Sequence, residues 1–186
     1  MNYIRTFIAI ELSQKAKDEI SRIISVLKKT DVEAKWVRPG TVHITLRFLG
    51  SIDEDRIAGI ETKLKKIASE ADPFKIMLSN ISVFPNWRRP KVVWVGAEDQ
   101  NSEIQELHSK IDDVLEKESF DKTAKPFETH ITLCRLKSGK NVQQLKEAIA
   151  SITVSPIITK ISKIILFRSD LTSKGAIHTP LVEFPF

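Results

Sequence analysis

The tetrapeptide His-Ile-Thr-Leu occurs twice in this 186-residue chain, as His43-Ile44-Thr45-Leu46 and as His130-Ile131-Thr132-Leu133, and the copies hold half of its four histidines. On average residue usage, an exact second copy arises by chance in roughly one chain of this size per thousand. The flanks repeat too: Arg38-Pro39 precedes the first copy and Lys125-Pro126 the second at the same offset. Imidazole has the unperturbed pKa nearest neutrality, so two imidazoles across a cleft can serve as general acid and general base in one reaction. Two threonine hydroxyls can donate hydrogen bonds to the non-bridging oxygens of a phosphate. The constellation suits phosphodiester chemistry without a metal.

A single His-x-Thr in a strand has a structural reading, because histidine can pair with a neighbouring carbonyl and threonine favours strands. Two copies with shared flanks speak against it. A duplicated core has no reason to keep both polar positions identical while outer positions drift. Paired histidines could also bind zinc. Neither copy carries His-Glu-x-x-His or a Cys/His cluster at ligand spacing, and Cys134 is the one cysteine, so no metal or cofactor is expected.

The elements that must position these residues follow from periodicity. Strand side chains alternate between faces, so each copy predicts a half-buried strand with an apolar back and one imidazole plus one hydroxyl in front. Alternation puts Arg47 on the front with His43 and Thr45, Phe48 on the buried back, and Cys134 on the face of His130 and Thr132. Arg135 falls out of phase with His130 and reaches the front only through a bulge, the strand's end or a side chain curling over the edge. Around the tetrads the pattern predicts strands Tyr3 to Glu11, Phe74 to Phe84, Lys91 to Gly96, Ile157 to Arg168 and Ile177 to Phe184. Helices are predicted after Ser13, Asp53 and Asn141 as caps and from about Ser102, with Ile20, Ile23, Ile24 and Leu27 marking the apolar stripe of the first. His108 lies at the margin of the third helix's stripe and reads as solvated. Alternating strands and helices with short links say α+β or α/β.

The paired His-x-Thr strands followed by leucine resemble the signature of the 2H phosphoesterases. Within them the chain is similar to the LigT-like RNA 2',3'-cyclic phosphodiesterases, also called 2'-5' RNA ligases. The resemblance extends through Arg5-Thr6-Phe7-Ile8-Ala9-Ile10, Trp36-Val37, His43 to Gly50, Phe84-Pro85, Pro90 to Gly96, Lys125 to Arg135 and Phe167 to Leu171. Two positions depart from the family's pattern: Thr129 stands where proline often precedes the second histidine, and His178 where the last strand often has tyrosine. The resemblance implies an α+β fold, a single two-lobed domain over residues 1–186 whose duplicated halves face a central groove with antiparallel sheets. It also implies that His43 is proton donor and His130 proton acceptor, that Thr45 and Thr132 bind phosphate, and that Arg135 matters. Sequence alone does not orient the substrate, and the two roles exchange if it binds the other way round.

Substrate contacts are expected from Arg47, Arg135, Lys125 and Phe48, which flank the tetrads. Phe7, Phe48 and Phe127 could stack on a nucleobase or pack in the core. Trp87 with Arg88 and Arg89 in a loop is a further candidate for RNA contact. The formal charge of +5 favours an acidic partner. With 41% hydrophobic residues the chain can bury one core and is short for two independent domains. No apolar run is long enough to span a bilayer, and the opening residues read as a strand rather than a signal peptide, so no membrane partner and a cytoplasmic location are expected. A monomer is the expected state, although the sequence itself does not give it. The expected reaction is hydrolysis of a 2',3'-cyclic phosphate at an RNA end, tRNA halves being one candidate substrate. Ligation by the reverse chemistry should be ATP-independent, because no Lys-x-Asp-Gly motif or Walker loop is present. The alternatives are a cyclic phosphodiesterase for small nucleotides and a noncatalytic RNA-binding module.

Overall fold

The computed structural model describes residues 2–118, 120, 126–172 and 175–186. Two antiparallel sheets and four helices form the molecule, as the α+β expectation requires. Strand β1 (Tyr3–Glu11) is followed by helix α1 (Gln14–Lys28), β2 (Ala34–Trp36), a short 3-10 turn (Pro39–Thr41) and β3 (His43–Asp53). Next come α2 (Ile57–Ser69), β4 (Phe74–Phe84), β5 (Val92–Asp99) and α3 (Glu103–Lys117). The chain ends with β6 (His130–Leu136), α4 (Val142–Ser151), β7 (Ile158–Ile161), β8 (Lys163–Thr172) and β9 (Gly175–Pro185). Among the described residues no helix is long and apolar enough to cross a membrane.

The first sheet runs β3-β1-β8-β9 and the second β2-β6-β5-β4-β7, so each contains one tetrad strand. The chain passes between the sheets several times: β2 leaves its sequence neighbours to pair with β6, and β8 returns to pair with β1. Neither sheet is therefore made from one half of the chain. The expected strand Ile157 to Arg168 is divided at Ser162, with β7 paired to β4 in one sheet and β8 to β1 in the other. Alternation of buried and exposed positions hides such a break, because both pieces need the same period of two.

Local chemistry explains the helices. Ser13 Oγ accepts from Ala16 N at 3.3 Å and starts α1, whose Ile20, Ile23, Ile24 and Leu27 are buried. Asp53 accepts from Asp55 N at 3.3 Å and starts the 3-10 turn that leads into α2. At α3 the cap is Asp99, which accepts from Ile104 N at 2.7 Å, while Ser102 adopts a left-handed φ of 62°. Asn141 is also left-handed, and its side chain donates to Asp31 O instead of capping α4. One large core of Ile, Leu and Val joins both sheets and the helices. A second, small cluster of Phe7, Ala9, Ile165 and Phe167 lies apart from it, on the tetrad face of the first sheet.

Candidate active site

The same device holds both tetrad histidines. His43 Nδ1 lies 2.9 Å from Thr41 O and His130 Nδ1 lies 2.7 Å from Glu128 O, in each case the carbonyl two residues earlier. A carbonyl only accepts, so Nδ1 carries hydrogen in both rings and Nε2 is left to exchange a proton. The His43 ring stacks on Phe7 at 4.9 Å, and the His130 ring stands edge-on to Phe84 at 5.1 Å. Thr45 and Thr132 sit half-buried two residues on, and among the described residues neither hydroxyl bonds to another protein group. Each tetrad thus offers one anchored imidazole and one available donor.

Burial governs the charge of these rings. It holds His43 down at about 4, against the opposing pull of the Thr41 bond, and His178, His130 and Lys17 push the same way. Burial also lowers His130, with Arg135 adding to the effect, and lowers His178, with Arg5 adding. All three imidazoles are therefore neutral at neutral pH in the free protein, and an anion bound between them favours their charged forms. Because the folded state binds the His43 proton more weakly than the unfolded chain, whose value is about 6.5, the unfolded state carries more protons between pH 6.5 and 4. Stability is intact above that window and is lost as pH falls through it. Melting temperature should drop from pH 6.5 to 4.5, and His43→Gln should show a shallower drop. An equal slope in both proteins would contradict the burial of this ring.

A bulge sits at the same place in both tetrad strands. Across β1 and β3 the register moves from Ala9↔Thr45 to Ile8↔Arg47, and across β5 and β6 from Trp94↔Thr132 to Val93↔Cys134. Leu46 and Leu133 are the extra residues, and the alternation inverts after each. Three expectations change. Arg47 does not share the front with His43: it is 8% exposed and its Nη1 lies 2.9 Å from Asp112 Oδ1 on α3. Phe48 does not pack in the back: it is 59% exposed, its ring 5.9 Å from Phe7. Cys134 does not border the cleft: it is fully buried, and burial pushes its thiol up to about 12. Of the three routes open to Arg135 the strand takes the bulge, and this arginine is exposed on the side of Thr132.

Other candidates divide. His108 is buried rather than solvated, stacked at 4.1 Å between ring centroids on Phe127, which packs partly buried against the core. Trp87 is half-buried against the core with Lys146 Nζ 5.9 Å above its ring, while Arg88 and Arg89 are exposed. Lys125 lies outside the described residues. Gly96 lies opposite His130 in β5, and a Cβ there would press on Ser79 Oγ, which would have to turn away. Periodicity did not find His178: β9 is the far edge of the first sheet, yet its ring meets His43 edge-on at 5.3 Å and Phe7 at 4.9 Å. Its one sequence signal is the departure from tyrosine. Among the described residues no group of three His, Cys, Asp or Glu side chains is placed to hold a metal ion.

Residues 10–94 and 95–178 each match the LigT like Phosphoesterase family. The chain is similar to an RNA 2',3'-cyclic phosphodiesterase of Methanothermobacter thermautotrophicus, 32% identical over 97% of this chain and 98% of that one. It is 30% identical to an RNA 2',3'-cyclic phosphodiesterase of Aquifex aeolicus over 99% and 98% of the two chains. Its fold is similar to the crystal structure of E. coli LigT complexed with 3'-AMP, with a TM-score of 0.74, 20% identity and coverage of 100% and 99%.

Proposed function

The chain belongs to the LigT like Phosphoesterase family, and from that premise we infer that it is an RNA 2',3'-cyclic phosphodiesterase. Water attacks phosphorus, the bond from phosphorus to the 3' oxygen breaks, and a 2'-phosphate remains. His130 Nε2 takes the proton from the attacking water, and His43 Nε2 delivers one to the departing 3' oxygen. Thr45 and Thr132 donate to the equatorial oxygens, and Arg135 offsets their charge. The observation that carries this reading is the matched pair of Nδ1 anchors, which gives both imidazoles the same tautomer and leaves both Nε2 atoms for proton transfer. Incubating the protein with an RNA oligomer that ends in a 2',3'-cyclic phosphate and identifying the product terminus tests it. A 2'-phosphate is expected, and an unchanged end after exhaustive incubation would sink the reading.

Further parts of the proposal follow from the same chemistry. A 5'-hydroxyl of a second RNA in place of water reverses the reaction and joins ends by a 2'-5' bond without ATP, with hydrolysis dominant in dilute solution. The chain acts as one two-lobed unit over residues 1–186, as a monomer, in the cytoplasm, with tRNA halves among its substrates. Interleaving of strands from both halves in each sheet supports the single unit. Thr45→Ala and Thr132→Ala should each lower turnover by about tenfold to a hundredfold, the weight of one hydrogen bond to a charged group, while acid and base stay in place. Losses larger than those of the histidine variants would assign the threonines a different role.

A further inference from the structure

The chemistry above uses one cation of a facing pair. In the second sheet Lys35 of β2 stands directly opposite Arg135 of β6, and facing residues share a face, here the one that carries Thr132. Both are exposed, and among the described residues neither has a carboxylate partner. Like charges directly opposite each other across two strands repel. The next rung on that face is of the ordinary kind, with Glu33 opposite Lys137. A lysine on an edge strand blunts unwanted strand pairing wherever it stands, and that accounts for Lys35 taken alone. It gives no reason to set the lysine against an arginine. Bound anions would relieve a repulsive rung, and this rung lies beside the phosphate site.

Both sheets place the pair at the same distance from the tetrads. Along β6, Arg135 follows Thr132 by three residues, roughly 10 Å or less with the bulge between them. Lys35 also reaches the first sheet: its Cε lies 4.0 Å from where a Cβ would stand on Gly175, the first residue of β9. His178 is three residues further along that strand, again roughly 10 Å away. Arg135 is near enough to His130 for its charge to weigh on that ring. A 2',3'-cyclic phosphate carries one negative charge, which Arg135 answers in the reading given above. Lys35 is left for the next anion of the same molecule. In an RNA strand that anion is the phosphodiester joining the terminal nucleoside to its 5' neighbour, and a cyclic mononucleotide with a free 5'-hydroxyl has none. Building on the phosphodiesterase reading, we propose that Lys35, set against Arg135, binds the phosphodiester on the 5' side of the terminal nucleoside and so favours RNA chains over cyclic mononucleotides. The contact lies away from the bonds that form and break, so it acts alike on ground and transition states and appears in KM.

The test compares three substrates that end in the same 2',3'-cyclic phosphate. One is a dinucleotide with an ordinary phosphodiester linkage, one its twin with an uncharged methylphosphonate linkage, the first sugar being 2'-deoxy in both, and one the cyclic mononucleotide. Wild-type protein should show a KM for the phosphodiester about fivefold below that for the methylphosphonate, the upper range of an exposed ion pair, with similar kcat. Lys35→Gln keeps the stem and removes the charge. It should raise KM for the phosphodiester to the level of the twin, and the two uncharged probes should respond far less. The slope of log KM against log salt for the phosphodiester should fall by about 0.7, the share of one phosphate contact on a single strand. Lys35→Arg should restore both values. Equal wild-type KM for the charged and uncharged linkages would overturn the subsite, as would a Lys35→Gln effect of the same size on all three substrates. Absence of hydrolysis of every substrate by wild type would defeat the phosphodiesterase reading instead. In that event fluorescence anisotropy of a labelled RNA oligomer with a 2'-phosphate end still reads the subsite: weaker binding and a shallower salt slope in Lys35→Gln support it, and identical curves overturn it.

Discussion

Replacing either tetrad histidine by alanine should lower turnover of cyclic-phosphate-terminated RNA by about 10²- to 10⁴-fold, the range that a positioned general acid or base contributes. Each ring makes one hydrogen bond to a carbonyl two residues away, and neither closes a buried ion pair. Their removal should therefore leave the fold in place, which circular dichroism and melting temperature check. The double variant should be little worse than the more damaged single variant, because an acid and a base that act in one transition state are not additive. Near-wild-type turnover in a folded single variant would rule out the two-histidine mechanism.

The largest effect on stability should come from Asp112→Ala. Arg47 and Asp112 are both buried, with their charged atoms 2.9 Å apart. Removing the carboxylate takes the opposite charge from beside a buried guanidinium, close to His108, which feels both groups, a loss of about 3–5 kcal/mol. Arg47→Met with Asp112→Leu removes both charges and keeps apolar volume, and should recover most of the loss. Chemical denaturation of the three proteins measures this. A cost below about 1 kcal/mol for Asp112→Ala would place the pair in the range of surface ion pairs. Activity in the double variant should persist, since neither side chain faces the tetrad hydroxyls.

Most of the architecture was legible because it rests on periodicity. The strands at Tyr3 and Phe74, the helix stripes and the front faces of His43, Thr45, His130 and Thr132 stand where alternation puts them. Errors arose where one residue shifts the phase. A bulge at Leu46 has no glycine or proline to announce it, so alternation carried Arg47 forward and Phe48 back when the strand does the reverse. His108 was misplaced for another reason: its partner, Phe127, comes from a segment 19 residues further on, and helical spacing sees only the helix. His178 depends on still longer range. It reaches His43 only because the four strands of the first sheet bring β9 round toward β3, and no local pattern encodes that approach.

The shared bulge also bears on direction. Two identical halves around a phosphate would bind a diester equally well forwards and backwards, and neither imidazole would be committed to giving or taking a proton. After the bulge, the residue turned outward is Phe48 in one half and Arg135 in the other. One lip of the groove is a ring and the other a cation. A nucleotide is itself polar in that sense, with a flat base at one end and an anion at the other. Divergence at a single outward position in each strand is thus enough to give a duplicated, nearly palindromic site a head and a tail, while the tetrads themselves stay the same.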